Sequence, residues 1–158
     1  YCLQQGFTAE IALAMVSTVV VGDALLQLPI GALADYLPRR TLLMVCAVLL
    51  LVSSLAIPLL MHTPLIWPVW VLFGASAGGL FTLSLILIGE RFRDDALVRA
   101  NAHVAQLWGV GCLIGPLVAG AGSQWISGHA LPFLMAAGAL GLVVLLLRPG
   151  AFGATQPA

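Results

Sequence analysis

Five apolar runs constrain this chain more than any other feature: residues 11–34, 41–61, 65–89, 101–122 and 131–147. A helix needs about 20 largely apolar residues to cross the hydrocarbon core of a bilayer. The fifth run is short for that purpose but still within range. Strands do not fit, because the runs lack period-2 alternation and are too long. Each run is apolar around most of its circumference, as expected where lipid and neighbouring helices share the faces. The breaks between them, "YLPRR", "HTPL", "RFRDDALVRA" and "SQWISGHALP", carry turn chemistry. Six acidic and six basic side chains among 158 residues, with no lysine, cannot furnish a solvated surface. The expectation is an all-α integral membrane protein of five transmembrane helices, with residues 150–158 as a short tail.

The arginines orient it. Arg39 and Arg40 fall between the first two runs, Arg91, Arg93 and Arg99 between the third and fourth, and Arg148 after the fifth. In an alternating five-pass topology all six share one face, the pattern of the positive-inside rule. The reading is a multi-pass protein of the cell's inner (plasma) membrane with its C-terminus in the cytoplasm. Trp67, Trp70 and Trp125 then sit near the outer ends, where interfacial indoles are favoured. A net charge of zero gives no footprint for nucleic acid.

The densest polar stretch is "GALADYLPRR", Gly31 to Arg40. Gly31 allows a second backbone to approach. Asp35 stands at the negative end of a helix dipole, which is unfavourable unless cations or another helix's N-terminus lie near, and Arg39 and Arg40 can supply the former. Pro38 stops the helix.

The pattern G-x-x-x-D-x-x-x-R-R, matched by Gly31, Asp35, Arg39 and Arg40, resembles the loop signature of the major facilitator superfamily. That family carries it between its second and third helices and again between its eighth and ninth. Tyr36 and Pro38 depart from the usual basic residue and glycine, which fits the degenerate second copy. "GVGCLIGPLVAG", residues 109–120, resembles the family's G-P-x-x-G helix, and "QLPIGALAD", "GERF" and "ANAH" are similar to the C-terminal half of YcaD-like members.

The resemblance implies a fold and an activity. The five helices would be the eighth to twelfth, most of one six-helix half, with residues 1–10 the end of the seventh and its loop. The activity implied is secondary transport of a small solute by alternating access, possible proton coupling included, with no cofactor and no catalysis. Partners are the lipid bilayer, the solute and the absent N-terminal half, since such folds hold substrate between two halves. Asp35, Arg39, Arg40, Glu90 and Arg91 would form a gating ion network. The competing expectation is an orphan five-helix protein, or a gene fragment, that acts only by packing on a partner.

Asp23 is the main candidate for chemistry. It precedes Asp35 by about 18 Å of helix, at a depth where an unpaired carboxylate is costly, and Gln27 lies one turn on, on nearly the same face. Either the two line a polar cavity and bind a proton or cationic substrate, or a protonated Asp23 hydrogen-bonds across a helix interface. Glu90 and Arg91 read as gate members or as solvated charges; Asp94, Asp95 and Arg99 read as loop solvation and capping of the fourth helix. Gly74 with Gly78 and Gly111 with Gly115, the latter beside Pro116, form GxxxG patterns read as close helix packing or as points of flexing. No metal is expected: His62, His103 and His129 have no i, i+4 histidine or clustered carboxylates. No hydrolase or P-loop pattern occurs.

Overall fold

The computed structural model describes residues 1–125 and 128–148, with no side chains described for 123–125. It contains five helices: α1 (Ala9–Leu33), α2 (Arg39–Leu60), α3 (Ile66–Arg91), α4 (Asp94–Trp125) and α5 (Ala130–Leu147). All five are long and apolar enough to cross a membrane, and no strand occurs among the described residues. The ring of Trp125 and the tail 150–158 lie outside them.

The helix ends follow local chemistry. Thr8 caps α1, its hydroxyl accepting from the Ile11 N–H, and Glu10 sits in the first turn, where the dipole favours an anion. Pro38 is the N-cap of α2. At the end of α3 the backbone of Phe92 is extended, and Asp94 turns the chain through the left-handed region at φ 48°; aspartate tolerates that region better than most residues. Helix α4 therefore starts at Asp94, seven residues ahead of the apolar run. The charged segment that reads as a loop is its first two turns, with Asp94 and Asp95 at the positive end of its dipole.

α1 packs on α3, and α2 packs between α3 and α5; α4 leans on α3 and α5 along one edge. Two apolar clusters fill the bundle. Ala34, Leu42, Leu43, Cys46, Ala47, Leu83 and Leu146 form one toward the arginine-bearing end. Met15, Ile57, Met61, Ile66 and Trp70 form the other. Trp70 departs from the belt expected of it: it is buried, edge-on to Phe73, and its Nε1–H has no partner among the described residues. Trp67 keeps the exposed position.

The α1–α3 seam shows why glycine is needed there. A Cβ at Gly22 would lie 2.3 Å from the carbonyl oxygen of Val71, and one at Gly74 would lie 2.0 Å from that of Val19. The two backbones touch. In lipid, where solvent does not drive apolar surfaces together, such close packing is one of the forces that associate helices.

Candidate functional site

Inside the membrane span the polar focus is on α1. The Gln27 Nε2 donates to Asp23 Oδ1 at 2.6 Å, both side chains part-buried. The pair rests over Gly78 of α3, where a Cβ would stand 1.6 Å from Asp23 Oδ1 and 3.2 Å from Gln27 Nε2. The missing side chain at 78 is what lets a carboxylate lie against α3. The i, i+4 spacing brings Asp23 and Gln27 together, and the fold adds Gly78. Gly79, next along, takes Ile30 and Cys46 instead. Gly22, which completes the seam, has no glycine four residues before or after it; Thr18 and Leu26 stand there. Its only signal in the sequence is a glycine in mid-run, away from any helix end.

At the arginine-bearing end three elements converge on α2. Arg39 Nη2 meets Glu90 Oε1 at 2.5 Å, and Arg39 Nη1 donates to the carbonyl of Ala34 at the end of α1. Arg40 Nη2 donates to the carbonyl of Leu146 at 2.7 Å, near the end of α5, where the dipole favours a cation. Of the expected network of Asp35, Arg39, Arg40, Glu90 and Arg91, Arg39 and Glu90 meet, whereas Arg40 bonds a backbone carbonyl. Asp35 is exposed with no partner among the described residues, and Arg91 is exposed. The reason is register: Arg39 opens α2 and faces the last turn of α3, while Asp35 sits in the intervening turn. Gly31, expected to admit another backbone, has no atom within 4 Å of where a Cβ would be.

Gly111 and Gly115 likewise meet nothing within 4 Å, so their pattern makes no close helix contact within this chain. The physical reason is that α4 touches α3 and α5 only along one edge. Gly111 instead lines a groove of about 610 Å³ with Phe81, Ser84, Trp108 and Met135, where the rings of Phe81 and Trp108 meet at a tilt of 52° with centroids 4.9 Å apart. Pro116 lies inside α4, on its exposed part.

The opposite end is closed by residues 1–8. Phe7 stacks on His62 of the α2–α3 turn at 5.3 Å, and the Tyr1 hydroxyl bonds His129 Nδ1 at 3.0 Å before α5. Burial raises the Tyr1 phenol and the Cys2 thiol above their ordinary pKa values. Among the described residues no three His, Cys, Asp or Glu side chains form a metal-binding group.

A profile of the Major Facilitator Superfamily matches residues 3–156. The chain belongs to this superfamily. An MFS-type transporter of Aspergillus terreus is 31% identical over 99 residues, which are 63% of this chain and 18% of that one. The efflux pump dotC of Dothistroma septosporum is 30% identical over 91 residues, 58% of this chain and 16% of the pump. The MFS-type transporter YcaD of Escherichia fergusonii is 29% identical over 134 residues, 85% of this chain and 33% of YcaD. The superfamily chain described here thus spans a third or less of these relatives. No solved structure matches it.

Proposed function

We propose that the chain is the C-terminal portion of a secondary transporter that moves a small solute across the inner membrane by alternating access, with coupling to protons through Asp23. It forms a partial transmembrane bundle over residues 1–149 and works against an N-terminal half supplied by the rest of the transporter, the arginine-bearing end and the tail lying in the cytoplasm. Membership of the superfamily supports transport, and the six arginines gathered at one end support that orientation.

The observation that carries the coupling is the Asp23–Gln27 pair over Gly78. A carboxylate within a span is costly in lipid and marks a proton or substrate path by default. Gln27 can hold either form of it, donating to the carboxylate or accepting from the acid. The test is Asp23→Asn in the whole transporter, assayed for solute movement driven by an imposed pH gradient. Loss of gradient-driven movement with solute exchange retained is the expected result; gradient-driven transport at the parent rate removes Asp23 from the coupling.

A further inference from the structure

Helices α2 and α5 meet the membrane edge together, and an arginine marks the meeting on each. The 22 residues of α2 extend about 33 Å and the 18 of α5 about 27 Å, against a hydrocarbon core of about 30 Å. Arg40 lies in the first turn of α2, and Arg148 directly follows α5. The Arg40 Nη2 donates to the carbonyl of Leu146 at 2.7 Å, so the two helices run antiparallel with these ends side by side. Both arginines therefore stand where hydrocarbon gives way to the phosphates of one leaflet. Arg148 is two residues beyond the carbonyl that Arg40 holds, at most about 7 Å of chain. That is near enough for one phosphate to span both guanidiniums.

Nothing on these helices neutralises them. Neither α2 nor α5 contains an acidic residue. Glu90 of α3 is taken by Arg39. Asp35, in the turn before α2, is exposed and pairs with neither arginine, and Asp94 and Asp95 stand in the first turn of α4. The Arg148 guanidinium has no partner among the described residues, and Arg40 spends one N–H on Leu146 and no other. The positive end of the α2 dipole lies here too, and adds to their charge. Away from this edge both helices turn apolar side chains outward, Val45 and Val48 on α2 and Val144 and Leu147 on α5.

We propose that Arg40 and Arg148 clamp the headgroup phosphate of an anionic phospholipid whose acyl chains lie along the exposed apolar side chains of α2 and α5. Charge complementarity selects the occupant. Guanidinium groups bind phosphate oxygens in pairs of parallel hydrogen bonds, and two of them without a counter-ion call for a headgroup of net negative charge. A zwitterionic headgroup would bring a third cation to the same place. The arginines alone would also suit a free phosphate; the apolar strip beneath them suits a lipid. The inference goes beyond the transporter reading and does not depend on it.

The test is photocrosslinking in the intact transporter, reconstituted in phosphatidylcholine vesicles. The probe is phosphatidylglycerol with a diazirine near the glycerol end of one acyl chain, at a subsaturating level, and adducts are located by mass spectrometry of peptides. Adducts should gather around Val45 and Val48 and around Val144 and Leu147, well above those from phosphatidylcholine carrying the same diazirine. Arg40→Gln and Arg148→Gln should each lower them about fivefold, since an arginine near an anionic lipid surface contributes about 1 kcal/mol. Arg93→Gln, between α3 and α4, should leave them unchanged. Should Arg40→Gln loosen α5 by removing the donor to Leu146, Arg148→Gln still decides, because its side chain holds no other part of the fold. Equal labelling by the two probes, adducts indifferent to Arg148→Gln, or an equal loss from Arg93→Gln overturns the proposal. Removal of the adducts by excess inorganic phosphate also overturns it, in favour of a soluble anion. Transport is not read, so failure here leaves the transporter reading untouched.

Discussion

Substituting alanine at Gly74 and at Gly111 should have opposite effects, although both glycines lie in spans and both belong to GxxxG patterns. At Gly74 the added Cβ would stand 2.0 Å from the Val19 carbonyl oxygen and 2.8 Å from its carbon, where real Cβ atoms essentially never come nearer than 3.0 Å. The clash is with backbone, so no rotamer relieves it; α1 and α3 must separate by about an ångström along the seam. Overpacking of this kind costs roughly 1–3 kcal/mol, against a gain of up to about 1 kcal/mol from replacing a helical glycine by alanine. Gly74→Ala should therefore destabilise by about 1–2 kcal/mol. At Gly111 nothing lies within 4 Å, so only the helix term remains, and Gly111→Ala should be neutral or stabilising by up to about 1 kcal/mol. The assay is reversible unfolding in mixed micelles, following helicity against the mole fraction of denaturing detergent for the 158-residue chain. Equal destabilisation by the two substitutions would refute the reasoning, because it would mean that α4 is packed as tightly as the α1–α3 seam.

Two further outcomes follow from the two ends of the bundle. Arg39 and Glu90 are 30% and 49% exposed, so a double-mutant cycle with Arg39→Gln and Glu90→Gln in the same unfolding assay should give a coupling below about 1 kcal/mol, weakened further by salt; a coupling several times larger would show the pair to be shielded from solvent. Because burial raises the Cys2 thiol, its thiolate fraction at neutral pH lies below that of free cysteine. Its alkylation should be slower than that of a free thiol near pH 7 and its pH–rate curve shifted upward, and a rate matching free cysteine would show residues 1–8 to be open.

The number and type of elements were legible because lipid admits so few alternatives: long apolar runs can only be helices. Four of the helices begin and end within two residues of their runs. The fifth, α4, does not, since a helix need not stop where the membrane does; Asp94–Arg99 is helical backbone with loop-like side chains. Within the site, Asp23 and Gln27 were readable from their spacing, which one helix sets. Arg39 and Glu90 were readable as members of one ion network but not as its direct pair, because that pairing depends on how two helix ends register, and the sequence offered Asp35 and Arg40 as equally good members. The glycine patterns show the same boundary. Gly74 and Gly111 look alike in the chain, for a GxxxG says only that a backbone could come near, and the tertiary arrangement decides whether one does.

The lean contact of α4 has a mechanical meaning. The helices α1, α2, α3 and α5 are fastened to one another, by guanidiniums at one extremity and by interlocked backbone along the seam. The fourth is a long rod resting on two others by a single line, with bare flanks and a roomy furrow beside Phe81. Such a rod rests on its neighbours without the backbone-to-backbone contact that locks α1 to α3. Among the five helices of this chain, it is the one held least by the other four.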